Sequence, residues 1–293
     1  MTRFKELYDK YASDFNEILD AFCAKLDKCE PKILAESLKY SLQIGGKRIR
    51  PVLMFATAEL LNVPRKKVEN FALAIELIHT YSLIHDDLPE MDNDDFRRGK
   101  PSNHKVFGTG NAVLAGDGLL NTAYSILIDE CRNGSENISA ASFICDCAGI
   151  YGMIAGQSAD LLHEYDNNCT EAELSFIYEN KTAKLITAPL VVPAILSGSK
   201  YFTELKLLGH YLGWLFQLTD DILDVEGKFS SLGKSIGKDD KEGKCTAVSL
   251  YGLHKAKLQA DIVTERCMKL TEGLEGDTCF IKELINYVRM RTD

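Results

Sequence analysis

The sequence predicts an all-α fold, and three observations support that prediction. Apolar residues recur at helical spacing along most of the chain, and short polar breaks with Gly, Pro or Asn separate these stretches. The near-strict alternation of apolar and polar residues that is typical of strands is absent. No low-complexity linker or solenoid repeat divides the 293 residues, so we expect a single domain over residues 1–293.

Start and stop signals place the helices in order along the chain. An amphipathic pattern covers residues 3–22, and a second stretch ends at Ile44 before a glycine pair. Pro51 suits the first turn of a third helix, which runs through Leu61. Further helical patterns cover residues 67–88, 110–132, 137–163, 171–197, 203–225 and 244–272.

Two of the predicted helices are apolar on nearly every face. They are the stretches from Phe71 to Ile84 and from Leu205 to Leu223, and a helix of this kind is buried among other helices. Both run directly into clustered aspartates. Like charges beside a buried surface are unfavourable without cations, so these two helix ends are the main candidates for a functional site.

Composition and charge exclude several classes of function. The chain has 43 acidic and 34 basic residues, a net charge of −9, which disfavours a nucleic-acid or anionic-lipid partner. The sequence shows no apolar run long enough to cross a bilayer, and the N-terminus lacks signal-peptide features, so we expect a cytoplasmic protein. The nine cysteines include no CxxC and no zinc spacing, so free thiols in a reducing cytosol are expected.

The first acidic cluster, residues 86–95, reads DDLPEMDNDD and contains five aspartates. Pro89 indicates that the helix loosens here, so that Asp86 and Asp92 could converge on shared ions. Magnesium prefers oxygen ligands and commonly joins one or two carboxylates to phosphate oxygens. A solvated acidic turn is the alternative interpretation of this cluster taken alone.

The second acidic cluster, residues 220–224, reads DDILD. On a helix Asp220 and Asp224 are four apart and share a face, and Gln217 lies one turn earlier on nearly the same face. A helix end exposed to water is the alternative interpretation. Because both clusters follow a fully apolar helix, together they predict a site for a magnesium-bridged diphosphate.

A basic segment of the opposite sign, GGKRIRP, covers residues 45–51. Its glycines let backbone N–H groups approach an anion, and Lys47 and Arg50 would add charge-assisted hydrogen bonds to phosphate. Taken alone, the segment could also be an ordinary turn between helices. Likewise His79 alone is most simply a core histidine, and Tyr81 and Ser82 are core residues or the lining of a cavity.

These motifs, in this order, resemble those of the trans-prenyltransferases, the isoprenyl diphosphate synthase family, in particular its bacterial short-chain farnesyl type. The motifs are GGKRIRP at 45–51, IELIHTYSLIHDDLPEMDNDDFRRGKPSNHKVFG at 75–108, LAGDGLL at 114–120, KTAKLI at 181–186, FQLTDDILDVEG at 216–227 and LGK at 232–234. The resemblance implies a helical barrel of the isoprenoid synthase type, with the active-site cavity among its central helices. It also implies a head-to-tail condensation of dimethylallyl or geranyl diphosphate with isopentenyl diphosphate.

The resemblance further implies a role for individual residues. Three magnesium ions would hold the allylic diphosphate on Asp86, Asp92 and Asp220, with Asp87 and Asp224 supporting the ligand shells. The allylic substrate would contact Arg97, Lys181, Thr182, Gln217 and Lys234, with help from Lys244; Lys181, Thr182 and Gln217 would be the catalytic residues. Isopentenyl diphosphate would bind Gly46, Lys47, Arg50, His79 and Arg98.

Product length is implied by the residues just before the first acidic cluster, Tyr81 and Ser82. The bulky Tyr81 resembles the pattern that stops chain growth at fifteen carbons, which implies farnesyl diphosphate as the product. The alternatives are a geranylgeranyl diphosphate synthase of the same family, a class I terpene cyclase and a non-catalytic helical partner. The resemblance also implies a homodimer, and it leaves open the roles of Lys238, Lys244 and the C-terminal tail.

Overall fold

Helices make up nearly all the regular structure of the computed structural model, which describes residues 3–163, 169–226 and 244–291. The helices are α1 (Arg3–Lys25), α2 (Lys32–Gln43), α3 (Ile49–Leu60), α4 (Glu69–Asp86), α5 (Asn103–Phe107), α6 (Thr109–Glu130), α7 (Ser135–Ala148), α8 (Met153–Leu162), α9 (Glu171–Ile177), α10 (Lys184–Ser197), α11 (Phe202–Glu226), α12 (Ala247–Tyr251), α13 (Leu253–Glu272) and α14 (Cys279–Met290). The all-α prediction is therefore confirmed.

The two apolar helices of the sequence, α4 and α11, lie inside the bundle. Helix α4 packs between α6 and α10, and α11 packs between α10 and α13. Buried side chains occupy every face of α4 along most of its length, as its apolar composition predicts. Fully burying one Leu or Ile side chain contributes about 1.5–3 kcal/mol, so this packing fixes the positions of both helix ends.

The structure breaks three of the predicted helices and adds elements that the patterns missed. The stretch 137–163 divides into α7 and α8, and Gly152 in the break packs so closely that a Cβ there would lie 2.2 Å from the Cys147 carbonyl oxygen. The stretch 171–197 contains a π-helical turn, Tyr178–Ala183, and the stretch 244–272 becomes α12 and α13. The additions are α5, α14 and a hairpin of two short antiparallel strands, β1 (Phe96–Arg97) and β2 (Lys100–Pro101).

One helical stretch of the described chain, Ser135–Leu162, is long and apolar enough to cross a membrane by length and composition. The expectation that no apolar run reaches this length is therefore wrong by that measure. Only 39% of the most apolar window is buried inside the protein. A single stretch of this kind is weak support for a membrane span, because helices from protein cores meet the same criteria.

The cysteines also differ from the expectation of free thiols. Cys169 and Cys245, which are 76 residues apart, form a disulfide bond. The other seven cysteines are free. The sequence could not predict this pair, because only the fold brings the start of α9 next to the start of α12.

Candidate active site

A cavity of about 750 Å³ lies between the C-terminal parts of α4 and α11. Helix α8, the π-helical turn and the residues just before α12 complete its wall. The predicted site residues in its lining are Arg50, His79, Tyr81, Ser82, Asp86, Asp92, Arg97, Lys181, Thr182, Gln217, Asp220, Asp224 and Lys244. The fold thus brings both acidic clusters and most of the predicted cations to one recess.

The first acidic cluster folds back on itself where α4 ends. The helix stops at Asp86, and the backbone N–H of Asp92 donates a 2.8 Å hydrogen bond to the Asp86 carbonyl oxygen. Withdrawal from bulk water raises the pKa of Asp86 to about 6, although the positive charge of Lys181 opposes this. The Asp92 carboxylate accepts a 2.8 Å hydrogen bond from Lys244.

Asp87 points away from this recess toward the hairpin. It is buried, and it accepts hydrogen bonds from both Nε and Nη2 of Arg97. This pairing raises the pKa of Arg97 and keeps its guanidinium charged at the cavity wall. Asp87 therefore positions a cation at the cavity in the structure.

The second acidic cluster is held from two directions. Arg291, just after α14, donates a 2.6 Å hydrogen bond to Asp220, and its guanidinium lies over the Phe216 ring. Asp221 is buried and accepts hydrogen bonds from the Tyr178 hydroxyl and from the backbone N–H of Ala247. The side chain of Asp224 also lines the cavity.

The π-helical turn places Lys181 and Thr182 in the cavity wall. Two glycines allow the turn to pack closely, because a Cβ on Gly156 or Gly213 would lie within 2.3 Å of the turn's backbone. The Thr182 hydroxyl donates a 2.9 Å hydrogen bond to Gln217, whose side-chain N–H group donates to Asp221 at 3.0 Å. The three residues predicted as catalytic therefore lie on one side of the cavity.

The predicted basic site is only partly in the cavity lining. Arg50 and His79 line the cavity, whereas Gly46, Lys47 and Arg98 lie outside its lining. The Arg98 guanidinium hydrogen-bonds the Gly45 carbonyl oxygen and lies over Gly46, where a Cβ would be 2.6 Å from it.

The basic region of Arg50, His79 and Arg98 contains one buried nitrogen atom that lacks a hydrogen-bond partner among the described residues. This nitrogen is the Nε atom of Arg50. Burial and the charge of Arg98 lower the pKa of Arg50 to about 10, although the charge of Glu76 opposes this. Burial and the charges of Arg50 and Arg98 hold the pKa of His79 well below its ordinary value. A buried cation with an unused donor fits an anionic ligand.

Tyr81 and Ser82 lie in the cavity wall one turn before the first acidic cluster. Tyr81 is buried, and its ring meets the ring of His85 edge-on at a centroid distance of 5.7 Å. Leu120 of α6, the helix that packs against α4, also lines the cavity. The position of Tyr81 is therefore that of a wall residue that can limit the length of an apolar ligand.

The acidic residues fit magnesium that is shared with a phosphate ligand. In the part of the chain that the structure describes, no three His, Cys, Asp or Glu side chains cluster closely enough to hold a metal ion by themselves. Magnesium usually takes one or two carboxylates and completes its shell with water and phosphate oxygens. Asp86 and Asp92 on one side of the cavity and Asp220 on the other supply such carboxylates.

The structure also reveals site residues that the sequence patterns did not. Asp160 and Gln157 lie on one face of α8 and line the cavity, and Asp160 accepts a hydrogen bond from Lys181. Tyr178 joins α11 to the start of α12 through Asp221 and Ala247. The spacing of three residues could have predicted that Gln157 and Asp160 share one helix face. It could not have predicted that Asp160 lies beside Lys181. Lys234 and Lys238 lie outside the described residues.

Comparison with known sequences gives one family. The sequence model described as "Polyprenyl synthetase" matches residues 31–282. The chain is 39% identical to the farnesyl diphosphate synthase of Bacillus subtilis, with 93% of each chain covered. It is 44% identical to that of Geobacillus stearothermophilus, with 89% of each covered. It is also 40% identical to a chloroplastic geranylgeranyl pyrophosphate synthase of Capsicum annuum, with 93% of this chain and 74% of the relative covered.

Solved structures share the same fold. A geranyltransferase from Legionella pneumophila superposes with a TM-score of 0.85 at 30% identity, covering 98% of this chain and 96% of the other. A geranyltransferase from Helicobacter pylori, complexed with magnesium and isoprenyl diphosphate, gives a TM-score of 0.79 at 30% identity, covering 94% and 95%.

Proposed function

Since the chain belongs to the polyprenyl synthetase family, we propose that it is a magnesium-dependent prenyltransferase that makes farnesyl diphosphate. It condenses dimethylallyl or geranyl diphosphate head-to-tail with isopentenyl diphosphate and releases pyrophosphate. The farnesyl diphosphate synthases among its relatives support this product, and so does the bulk of Tyr81 in the cavity wall. Residues 1–293 form one catalytic domain in this proposal.

One observation carries the proposal: a single cavity is lined by carboxylates from two helix ends and by Arg50, whose buried Nε has no partner in the described part of the chain. The first feature suits a diphosphate that shares magnesium with the protein. The second suits another anion that the protein binds directly. A reaction that joins two diphosphate substrates needs both kinds of site.

The residues divide the work of the reaction. Magnesium at this site, three ions when substrate is bound, would supply positive charge for the leaving diphosphate. Asp86, Asp92 and Asp220 hold the metal, while Arg97, Lys181 and Lys234 donate hydrogen bonds to the same diphosphate. Preorganised charges of this kind lower the barrier by several kcal/mol because they need no reorganisation as the bond breaks.

The allylic carbon carries positive charge once its C–O bond breaks. The Thr182 hydroxyl and the Gln217 carboxamide, hydrogen-bonded to each other, turn fixed dipoles toward this carbon. Gly46, Lys47, Arg50, His79 and Arg98 bind isopentenyl diphosphate. Its double bond attacks the cation, and a proton leaves to the departing diphosphate. The apolar wall of α4 and α11 keeps water from the cation.

The geranylgeranyl product is the second candidate, because relatives that make the longer chain have nearly the same identity. In this proposal the residues of the cavity wall decide between the farnesyl and the geranylgeranyl product. Tyr81 and Ser82 both line the cavity about one helical turn before Asp86. We favour the farnesyl product because the side chain of Tyr81 is bulky and buried.

The proposed enzyme is a cytoplasmic homodimer. Exposed apolar side chains support a second copy as the partner: on α6, Leu114 is 57% exposed and Ile128 is 64% exposed, and Ile138 is exposed on the adjoining helix α7. Large apolar side chains on neighbouring helices are typical of a protein interface. The negative charge and the acidic cavity disfavour a nucleic-acid partner.

The products of defined substrate mixtures test the proposal. With dimethylallyl and isopentenyl diphosphates and magnesium, mass analysis should show farnesyl diphosphate. Omission of isopentenyl diphosphate should abolish the product. Cyclic hydrocarbon from farnesyl diphosphate alone would instead identify a terpene cyclase. Absence of turnover with every allylic primer, in a correctly folded protein, would favour a non-catalytic partner.

A further inference from the structure

We propose that Cys169 and Cys245 form a redox-modification site that controls the segment carrying Lys244 at the cavity. The ligand class is a low-molecular-weight disulfide in the oxidising direction and a dithiol in the reducing direction. The thiol chemistry stands by itself. Its effect on catalysis rests on the proposed function.

The geometry of the pair suits a disulfide. The two Cα atoms are 5.6 Å apart, within the range that native disulfides span without backbone movement. Cys245 is buried and lines the cavity, whereas Cys169 is partly exposed. One sulfur is therefore accessible to a thiol reagent, and the other faces the active site.

Each cysteine directly precedes the capping residue of a helix. Thr170 caps α9 in a capping box with Glu173, and Thr246 caps α12 in a capping box with Ser249. These reciprocal side-chain to backbone hydrogen bonds fix the backbone at both starts. The disulfide therefore joins two helix starts whose backbones are fixed. Little of its constraint is lost through flexible backbone next to the cysteines.

The start of α12 contacts both acidic clusters. Lys244, next to Cys245, donates a 2.8 Å hydrogen bond to Asp92 of the first cluster. The backbone N–H of Ala247, two residues after Cys245, donates a 2.7 Å hydrogen bond to Asp221 of the second. A covalent bond at Cys245 thus restrains the short segment that reaches both halves of the diphosphate site.

The redox step balances as a thiol–disulfide exchange. In oxidation, the two cysteine thiols lose two electrons and two protons, and one S–S bond forms between them. The S–S bond of the small disulfide breaks, and its two sulfurs accept the electrons and protons as thiols. In reduction, one thiol of a dithiol attacks the accessible sulfur of Cys169, and Cys245 leaves as the thiolate. The second thiol then attacks the reagent's own sulfur in this mixed disulfide, which releases the Cys169 thiolate and leaves the dithiol oxidised to an intramolecular disulfide.

The bond should change binding of the allylic substrate and spare the other substrate. When it is reduced, Lys244 must be ordered as the diphosphate binds, so the KM for the allylic diphosphate rises roughly fivefold. The KM for isopentenyl diphosphate stays the same, because Arg50 and His79 lie on α3 and α4, whereas the disulfide restrains the start of α12.

Counting thiols tests the site itself. Protein purified without reductant, denatured and alkylated, should take up seven alkyl groups, and nine after reduction. Peptide mapping should show Cys169 linked to Cys245. Nine alkyl groups without reduction, even after incubation with oxidised glutathione, would overturn the proposal.

Two further measurements test the control of Lys244. Acetylation of Lys244, mapped by mass spectrometry, should be faster in reduced than in oxidised protein and should be fast in Cys169→Ser under both conditions. Cys169→Ser should show the higher allylic KM with or without reductant, whereas the exposed-site control Cys279→Ser should behave as the wild type. Equal acetylation rates in oxidised and reduced protein would overturn the control of Lys244. An inactive enzyme with seven thiols and a redox-dependent rate at Lys244 would instead contradict only the proposed function.

Discussion

The backbone N–H of Asp92 hydrogen-bonds the carbonyl oxygen of Asp86 at 2.8 Å, which turns the chain back on itself at the end of α4. The bond brings together two aspartates that are six residues apart and would otherwise diverge after the helix. Across the cavity, Asp220 on α11 supplies the third carboxylate.

Asp160 positions Lys181 for the allylic diphosphate. In Asp160→Asn the lysine loses its charge-assisted partner, so kcat/KM for the allylic substrate should fall about 10- to 100-fold, as expected when a residue that orients a ligand-binding group is changed. The KM for isopentenyl diphosphate should not change. Steady-state kinetics with each substrate varied in turn measure the split. The exposed Asp146→Asn on α7 is the control, and an equal rise in both KM values would contradict this role.

Acid should destabilise the fold through His79. Burial and nearby arginines depress its pKa in the folded state, whereas in the unfolded chain it takes up a proton near pH 6.5. At a pH between these two pKa values, the unfolded state binds more protons than the folded state. Stability from this group is thus complete above about pH 6.5 and is lost as the pH falls, by at most about 1.4 kcal/mol per pH unit.

The variant His79→Gln isolates that contribution. Free energies of unfolding from urea titrations at about pH 7.5 and about pH 5.5 should differ less in this variant than in the wild type. The exposed His254→Gln should keep the wild-type difference. Identical acid sensitivity in wild type and His79→Gln would show that the histidine is not held neutral by its surroundings.

Tyr81 should set the length of the product. In Tyr81→Ala the wall beneath Asp86 opens, so products longer than fifteen carbons should appear, while Tyr81→Phe keeps the ring and should keep the farnesyl product. Mass analysis of the dephosphorylated products measures the distribution. The same products from parent and alanine variant would refute a role for this wall residue.

The apolar patch on α6 should hold the dimer. The double variant Leu114→Asp with Ile128→Asp places two buried charges in the proposed interface, which is costly without partners. Light scattering after gel filtration should give the 32.7 kDa of one chain for this variant and twice that mass for the wild type. Leu258→Asp, on the exposed side of α13, should remain a dimer. A wild-type monomer would contradict the homodimer.

The sequence predicted the fold and most of the cavity because both depend on local patterns. The stretch Phe71–Ile84 is apolar on all faces, and this alone indicates that the helix is buried. The aspartates that follow such helices must then come together at the edge of the buried core. The π-helical turn escaped prediction, since it depends on close approach of Gly156 and Gly213 from other helices.

Pairings between distant residues also could not be predicted. Nothing in the sequence says which carboxylate faces Lys181, and Asp160 does so only because α8 packs on the turn. The same holds for Arg291, which reaches Asp220 from the far end of the chain, and for the bond between Cys169 and Cys245. Helical periodicity fixes which face is buried and leaves open which helix covers it.

Calorimetric titration of inorganic pyrophosphate tests the joint diphosphate site most directly. Without magnesium the wild type should bind pyrophosphate only at the basic site of Arg50 and His79. Magnesium should add a second binding event, which Asp86→Asn and Asp220→Asn should each weaken by at least about tenfold. Asp95→Asn, whose carboxylate pairs with Lys105 at the surface, should bind as the wild type does. Equal binding with and without magnesium, or wild-type binding by both Asp86→Asn and Asp220→Asn, would contradict the account.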